Sequence, residues 1–307
     1  MTAASQPLVS VGVPVRNGDA TLERALESVV GQTYANLEII ISDNGSTDGT
    51  RSIGETFAAR DPRIRYVRHD SAMTALANFR YVFDQSRGNF FMWAAHDDVR
   101  SQNYVETLLR GFARHREAAL CFSEAREFSE HPAWQDAPVV DHDFDTVGLS
   151  FAERVRKQTT HGCMHVYGLL NSALLRDYPW YDIEDGPDVV LLLWLGTRGP
   201  LVYEPGATFY YHRVPGRDRE ARARDTSYRR LKPFHKERLA WLCATAVEHA
   251  AARSGRGLSR FRTLPLVYFH IVQGPRGLVY EWLPGWLRAA WQRHKARARR
   301  DDCEIAR

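Results

Sequence analysis

Residues 8 to 15, LVSVGVPV, form a short apolar, β-branched run closed by the polar turn RNGD, a pattern that predicts a buried strand. In the following TLERALESVVGQ, Leu22, Ala25, Leu26, Val29 and Val30 recur at helical spacing, and Gly31 follows the last turn. LEIIISD then reads as a second buried strand, and NGSTDGT opens a helix through about Ala59. Strand, helix, strand, helix predicts parallel pairing with right-handed crossovers. RIRYVR alternates as a third strand over 63–68, residues 74–86 suit a helix, and NFFMWAA is a fourth strand that ends at His96, Asp97 and Asp98.

Beyond this point the pattern predicts a helix at roughly 103–115, a short strand AALCFS, an irregular stretch over 127–150 rich in Asp and Pro, and a helix near 150–158. Residues 163–175 and 187–214 read as strand and helix returning to the sheet. From 215 to 230 the chain is polar and arginine-dense, which suits either a lid or a solvated charge run. The tail from about 231 reads as three helices, with Pro265 and Pro284 near helix starts. In the last of these, Trp286, Leu287, Ala290 and Trp291 oppose a basic face, which fits packing on its own domain, pairing with a second subunit in a homodimer, or peripheral contact with a membrane.

With 44% hydrophobic and 25% charged residues, the 307-residue chain has the make-up of a globular protein with a full core. The net charge of +4 rests on arginine, lysine occurring only at Lys157, Lys232, Lys236 and Lys295. That bias is expected from a GC-rich genome, so no nucleic-acid partner is expected. Cys121, Cys163, Cys243 and Cys303 lie far apart with no metal-ligand spacing, which argues against a zinc site or a disulfide framework. MTAASQP lacks the charged and apolar regions of a secretory signal, and no window reaches the roughly 18–20 apolar residues that span a bilayer. The expected location is the cytoplasm, with the inner membrane face open as a docking surface.

In an open α/β sheet, ligands bind beyond the carboxyl ends of the strands. Arg16-Asn17, Asp43-Asn44 and His96-Asp97-Asp98 all fall at such ends. Adjacent carboxylates closing a buried strand repel one another and lose hydration unless a cation sits between them and a ligand. Mg²⁺ or Mn²⁺ takes one or two protein carboxylates and completes its shell from phosphates and water, so a diphosphate is the natural partner.

The block VSVGVPVRNGDATLERALESVVGQTYANLEIIISDNGSTDGT, followed by WAAHDDV about fifty residues on, resembles the family 2 glycosyltransferases of the GT-A fold over roughly residues 7–214. The resemblance implies an α/β protein with a GT-A type, mostly parallel central sheet flanked by helices, here with a helical C-terminal extension. Residues 1–125 would be the nucleotide-sugar-binding half, 126–214 the acceptor-binding and catalytic half, and 215–307 the basic loop and helical region. It further implies an inverting, metal-dependent transfer of one sugar from a nucleotide-diphosphate sugar, with UDP or dTDP favoured, to an acceptor hydroxyl on a glycan precursor or small metabolite.

Position by position, Asp43 aligns with the carboxylate that accepts from the nucleotide base, Pro14 and Val15 flank that base, Asp97 is expected near the ribose and Asp98 on the metal, Mg²⁺ or Mn²⁺. Asp48 in STDGT suits a capping role better than a ligand contact. His96 stands where many relatives carry aspartate, which weakens the pull on a metal. An inverting transfer needs one ionised carboxylate beside the acceptor hydroxyl. Asp188 aligns with that base, with Asp185 and Glu184 as fallbacks, while a plain helix-terminal charge is the competing reading of Asp188. His212 and Arg213 fall where relatives place groups that reach the metal or the diphosphate. The chain lacks the Q-x-x-R-W motif and membrane helices of processive synthases, which favours addition of a single sugar. Two other classes stay open: an inert sugar-nucleotide-binding module, suggested by His96, and a sugar-nucleotide pyrophosphorylase, for which PVRNGDAT lacks the expected Gly-rich signature.

Overall fold

The structure, a computed structural model, describes residues 6–129, 137–141, 144–150, 153–154, 157–158, 163–181 and 186–213. The chain divides into two units, Met1–Arg230 and Leu231–Arg307, and the described residues all lie in the first. The arginine-dense 215–230 segment, the helical tail with its dimer or membrane surface, and both fallback bases Glu184 and Asp185 lie outside the described residues.

Strand β1 (Val9–Val15) is buried at every position because it is central and covered on both faces, which is why it reads as an unbroken apolar run. It pairs in parallel with β2 (Leu37–Asp43), Val15 opposite Asp43, and with β4 (Phe90–Trp93), Gly12 opposite Trp93. Strand β3 (Ile64–Arg68) extends the parallel set beyond β2. Helix α1 (Leu22–Val30) joins β1 to β2 and buries Leu22, Ala25, Leu26 and Val29, the stripe expected from spacing. Helices α2 (Thr50–Arg60) and α3 (Ala75–Asp84) complete the crossovers, and Thr74 caps α3 by accepting from the Ala77 N–H at 3.2 Å. Gly12 is required here: a Cβ at that position would meet Val82 Cγ2 of α3 at 2.6 Å.

The fourth strand stops at Trp93, short of the expected NFFMWAA, and the carboxylate pair stands in the turn before a two-residue strand, β5 (Val99–Arg100). Helix α4 (Tyr104–Arg114) leads to β6 (Leu120–Phe128), longer than AALCFS, which pairs antiparallel with β7 (Val139–Asp141) inside the stretch expected to be irregular. A 3-10 turn (Met164–Tyr167) precedes β8 (Leu169–Asn171) and the short helix α5 (Ser172–Arg176). Helix α6 (Pro187–Arg198) then runs into β9 (Leu201–His212). Strand order is β3-β2-β1-β4-β8-β6-β9-β5. β8 runs antiparallel to both β4 and β6, and β5 antiparallel to β9, so the sheet is mostly parallel with reversed strands where its two halves meet and at one edge.

Helix α6 is apolar on nearly every side, and Val190 to Thr197 are all buried. Its start is fixed by Gly186 at φ 68°, a left-handed conformation that glycine adopts without a Cβ penalty, and by Pro187 in the first turn. This punctuation sets Asp188 at the helix mouth. No helix among the described residues is long and apolar enough to cross a membrane.

Candidate active site

At the carboxyl ends of β1 and β2, two loops are tied together by side chains the sequence marked as polar turns. Asn17 sits at φ 51°; its N–H donates to Ser46 Oγ at 2.9 Å, and its Oδ1 accepts from the Thr47 N–H at 3.0 Å. Asp48 accepts from the backbone N–H groups of Asp19 (3.1 Å) and Thr50 (3.0 Å). Burial raises the Asp48 pKa, but these donors outweigh it and hold the carboxyl below its usual range. Asp48 therefore ties the two loops together just ahead of α2, whose N-cap is Gly49 with no side-chain cap, so the capping role expected from STDGT is not the one it takes.

Asp43 ends β2 with 0% exposure. Its Oδ1 accepts from the Ser46 N–H at 2.8 Å and its Oδ2 from the Tyr66 hydroxyl at 2.7 Å, while Arg68 Nε lies 3.9 Å away. Burial and then the Asp43 carboxylate push the Tyr66 phenol well above its ordinary pKa, so it stays a donor. Pro14 and Val15 stand beside this carboxylate in register, Pro14 opposite Ser42 and Val15 opposite Asp43.

The carboxylate pair is built differently at its two members. Asp98 is 1% exposed and accepts the His212 backbone N–H at 2.9 Å. Desolvation first, and the neighbouring Asp97 charge second, push its carboxyl up to about 8, against the pull of the His212 N–H, Arg100 and Arg24. Asp97 offers its carbonyl to Arg24 Nη2 at 3.2 Å. His96 is held at Nδ1 by the Thr21 hydroxyl, 3.1 Å away.

Two cations that sequence reasoning missed surround this pair. Arg24 projects from α1, and burial lowers its pKa while the charges of Asp97 and Asp98 raise it. Arg100 is 3% exposed; its Nη2 donates to the Trp93 carbonyl at 2.7 Å and its guanidinium lies 5.1 Å from the Phe209 ring centre. Arg100 sits in the polar stretch DDVRSQN, which gives no sign that its guanidinium will be buried. Arg24 gives none either, because an arginine on the polar side of an amphipathic helix is ordinary.

His212 and Arg213 stand at the end of β9, next to the acidic pair in the case of His212. The His212 backbone N–H donates to Asp98 Oδ1 at 2.9 Å, and its ring packs 5.0 Å from that of Phe128. The Arg213 guanidinium pairs with Glu127, and the Arg213 backbone N–H donates to the Phe128 carbonyl at 2.7 Å.

Asp188 accepts the Val189 N–H at 2.9 Å and lines a cavity of about 290 Å³ whose walls include Trp93, Tyr167, Tyr178 and Trp180. Tyr167, also missed from sequence, connects the two halves. Its ring stacks on Phe209 with centres 5.3 Å apart, and its hydroxyl is pushed well up, first by burial and then by the charges of Asp98, Asp188 and Asp97. Carboxylates from the β4–β5 turn and from the mouth of α6 therefore act on one phenol.

The donor set suits a hard divalent cation. Among the described residues no cluster of three or more His, Cys, Asp or Glu side chains is poised to hold a metal. Asp98 would supply one of the one or two carboxylates that Mg²⁺ or Mn²⁺ takes from protein when phosphates complete the shell. The raised pKa of Asp98 marks a carboxylate short of positive charge.

A mostly parallel sheet with polar clusters at its carboxyl ends, an acidic pair at the fourth strand and a carboxylate at a helix mouth beyond define a GT-A type protein. The family described as Glycosyl transferase family 2 matches residues 10–178, and the chain belongs to it. Glycosyltransferase GlyA of Streptococcus pneumoniae is 36% identical over 102 residues, covering 33% of this chain and 14% of that protein. The GalNAc(5)-diNAcBac-PP-undecaprenol beta-1,3-glucosyltransferase of Campylobacter jejuni is 30% identical over 146 residues, 45% of this chain and 47% of that protein. These matches take in less than half the length of either relative. Among solved structures, S. aureus TarS 1-349 in complex with UDP-GlcNAc superposes with TM-score 0.60 at 12% identity, covering 87% of this chain and 72% of that one. The mannosyltransferase PcManGT from Pyrobaculum calidifontis, in complex with GDP-Man and Mn2+, gives 0.51 at 15% identity, covering 95% and 81%.

Proposed function

We propose that the protein transfers one sugar from a nucleotide-diphosphate sugar to an acceptor hydroxyl with inversion at the anomeric carbon, using a divalent metal. The observation that carries this reading is that Trp93, closing the strand that leads into the acidic pair, Tyr167 and Asp188, at the mouth of α6, line one cavity. Solved proteins of the same fold hold UDP-GlcNAc or GDP-Man, the latter with Mn2+, which supports this donor class.

In this reading Asp43 accepts from the nucleotide base and Pro14 and Val15 flank it. Asp97 meets the ribose, and Asp98 holds the cation. A bound Mg²⁺ or Mn²⁺ would neutralise charge on the diphosphate as it leaves. Asp188, aligned by its helix mouth, takes the proton of the acceptor hydroxyl. The acceptor oxygen bonds to the anomeric carbon from the face opposite the diphosphate, the bond from that carbon to the phosphate oxygen breaks, and its electron pair leaves with the nucleotide. Arg24 and Arg100 keep the acidic pair from repelling the incoming diphosphate. Turnover of UDP-glucose, UDP-GlcNAc, dTDP-glucose and GDP-mannose, each with Mn²⁺ and with EDTA, tests the assignment. Metal-dependent release of one nucleoside diphosphate supports it. A product with the donor's anomeric configuration refutes inversion, and release of nucleoside triphosphate when pyrophosphate is added points to a pyrophosphorylase instead.

A further inference from the structure

The cavity beside Asp188 has an unusual lining for a site that handles a polar donor. Trp93 donates its indole N–H to the Phe79 carbonyl at 3.0 Å, so its polar atom is spent inside the protein and its ring is left as an apolar wall. Trp180 is held at φ 49°. A bulky residue in that left-handed region is a genuine outlier, kept only where its surroundings over-determine it, and such outliers cluster at ligand clamps. The surroundings here are the rings of Tyr178 (centres 5.5 Å apart, 70° between planes), Trp93 (6.3 Å, 86°) and Phe83 (5.7 Å), with the Arg80 guanidinium 5.7 Å from the Trp180 ring centre. The indole is thus fixed before any ligand arrives.

We infer that this cavity is the acceptor subsite, and that it seats a saccharide residue by the apolar C–H face of its ring, with Trp180 as the platform that selects it. The inference rests on the reading of Asp188 as the base. The occupant must present a hydroxyl to Asp188 and an apolar surface to the rings, and a pyranose carries both. At about 290 Å³ the cavity lies at the low end of the ~300–1,000 Å³ usual for small-molecule sites, which suits one ring rather than a chain. A pre-set indole loses little conformational freedom on binding, so its contact area turns into affinity with a small ordering cost.

The test uses the full chain saturated with UDP and Mn²⁺, which fills the nucleotide site without a donor sugar. Tryptophan emission is titrated with the methyl glycosides of glucose, galactose, mannose, rhamnose and N-acetylglucosamine. At least one should perturb the emission saturably. Trp180→Ala should weaken that glycoside by about tenfold, while Trp180→Phe, which keeps a ring, should hold it within about threefold. A cooperative melting transition in each variant shows that it folds, and Leu76→Trp, which enlarges a lining side chain into the cavity, should abolish the response independently. Equal affinity in Trp180→Ala, or no response to any glycoside, overturns the inference. Loss of glycoside binding when UDP-glucose replaces UDP also overturns it, because the cavity would then hold the donor's own sugar. If none of UDP, dTDP and GDP with Mn²⁺ raises the melting temperature of the native protein, the nucleotide-sugar reading itself falls, whatever the glycosides do.

Discussion

Asp98→Asn should stabilise the metal-free protein at alkaline pH while destroying metal-dependent turnover. The carboxyl is 1% exposed, lies beside the Asp97 charge and is pushed up to about 8 in the folded chain, against roughly 3.9 in an unfolded one. Because the folded pKa is the higher, the folded state binds more protons between those values, and stability falls as pH rises through that window. The loss is absent below about pH 4 and complete above about pH 8. At ~1.36 kcal/mol per pH unit it would reach about 4 kcal/mol between pH 5 and pH 8.5 for an isolated group. The titration is shared with Asp97, so a span of on the order of 2–4 kcal/mol is expected.

Asparagine keeps the shape and can still accept the His212 N–H, but it carries no charge to bury. In EDTA, the melting temperature of Asp98→Asn minus that of the native protein should therefore widen from pH 5 to pH 8.5. At about 2–4 °C per kcal/mol the widening is on the order of 5–10 °C. Differential scanning calorimetry at the two pH values measures it directly. A difference that is flat with pH, or that narrows, would show that Asp98 is not held as an uncompensated buried acid, and the electrostatic case for a cation there would fail. Mn²⁺ should reverse the native protein's alkaline loss and leave the variant unmoved.

Asp188→Asn should lower kcat by about 10²–10⁴ while UDP and Mn²⁺ still raise the melting temperature, a combination that single-turnover kinetics and thermal shift together check. Tyr66→Phe removes a hydrogen bond to the buried Asp43 carboxylate and should cost about 1.5–3 kcal/mol in urea unfolding. Asp48→Ala frees the backbone donors of Asp19 and Thr50 and should cost about 1 kcal/mol, with protease cleavage shifting to the two loops if the tie is lost. UDP at about 100 times its dissociation constant should stabilise by ~2.7 kcal/mol with Mn²⁺ and distinctly less with EDTA, and equal shifts in both would remove the metal from the nucleotide site.

The first half of the fold was legible because each element there obeys one period. β1 and β2 are central and buried on both faces, so they appear as apolar runs, and α1 shows its Leu22–Val29 stripe. What escaped was set by partners distant in sequence. β5 is a two-residue strand that exists because Val99 and Arg100 pair with Tyr210 and Phe209, more than a hundred residues on. β7 forms against the far end of β6, Ala125 opposite Asp141 and Arg126 opposite Val139, across an intervening stretch whose Asp and Pro content hides the pairing. The positions of Asp43, Asp98 and Asp188 could be named from motifs, but Arg24, Arg100 and Tyr167 become site residues only through packing that no local pattern announces.

Those late residues explain how an acidic pair can be built into a sheet at all. Asp98 has one backbone donor and two nearby guanidiniums, and still its carboxyl is raised. The protein's own positive charge is therefore insufficient, by construction, in the absence of a ligand. Arg100 cannot close the gap: its Nη2 is committed to the Trp93 carbonyl and its guanidinium lies over Phe209, so it is fixed in place as a background charge. Fuller neutralisation would cost the site its appetite for a cation, and weaker neutralisation would push the Asp98 carboxyl higher still and make it a poorer metal ligand. Adding a positive charge tests that balance. Thr21→Lys, on the His96 side of the pair, should lower the Asp98 pKa and raise the metal-free melting temperature at pH 8.5, yet weaken Mn²⁺ binding measured by calorimetry. Tighter Mn²⁺ binding in that variant would show that residual negative charge is not what draws the metal.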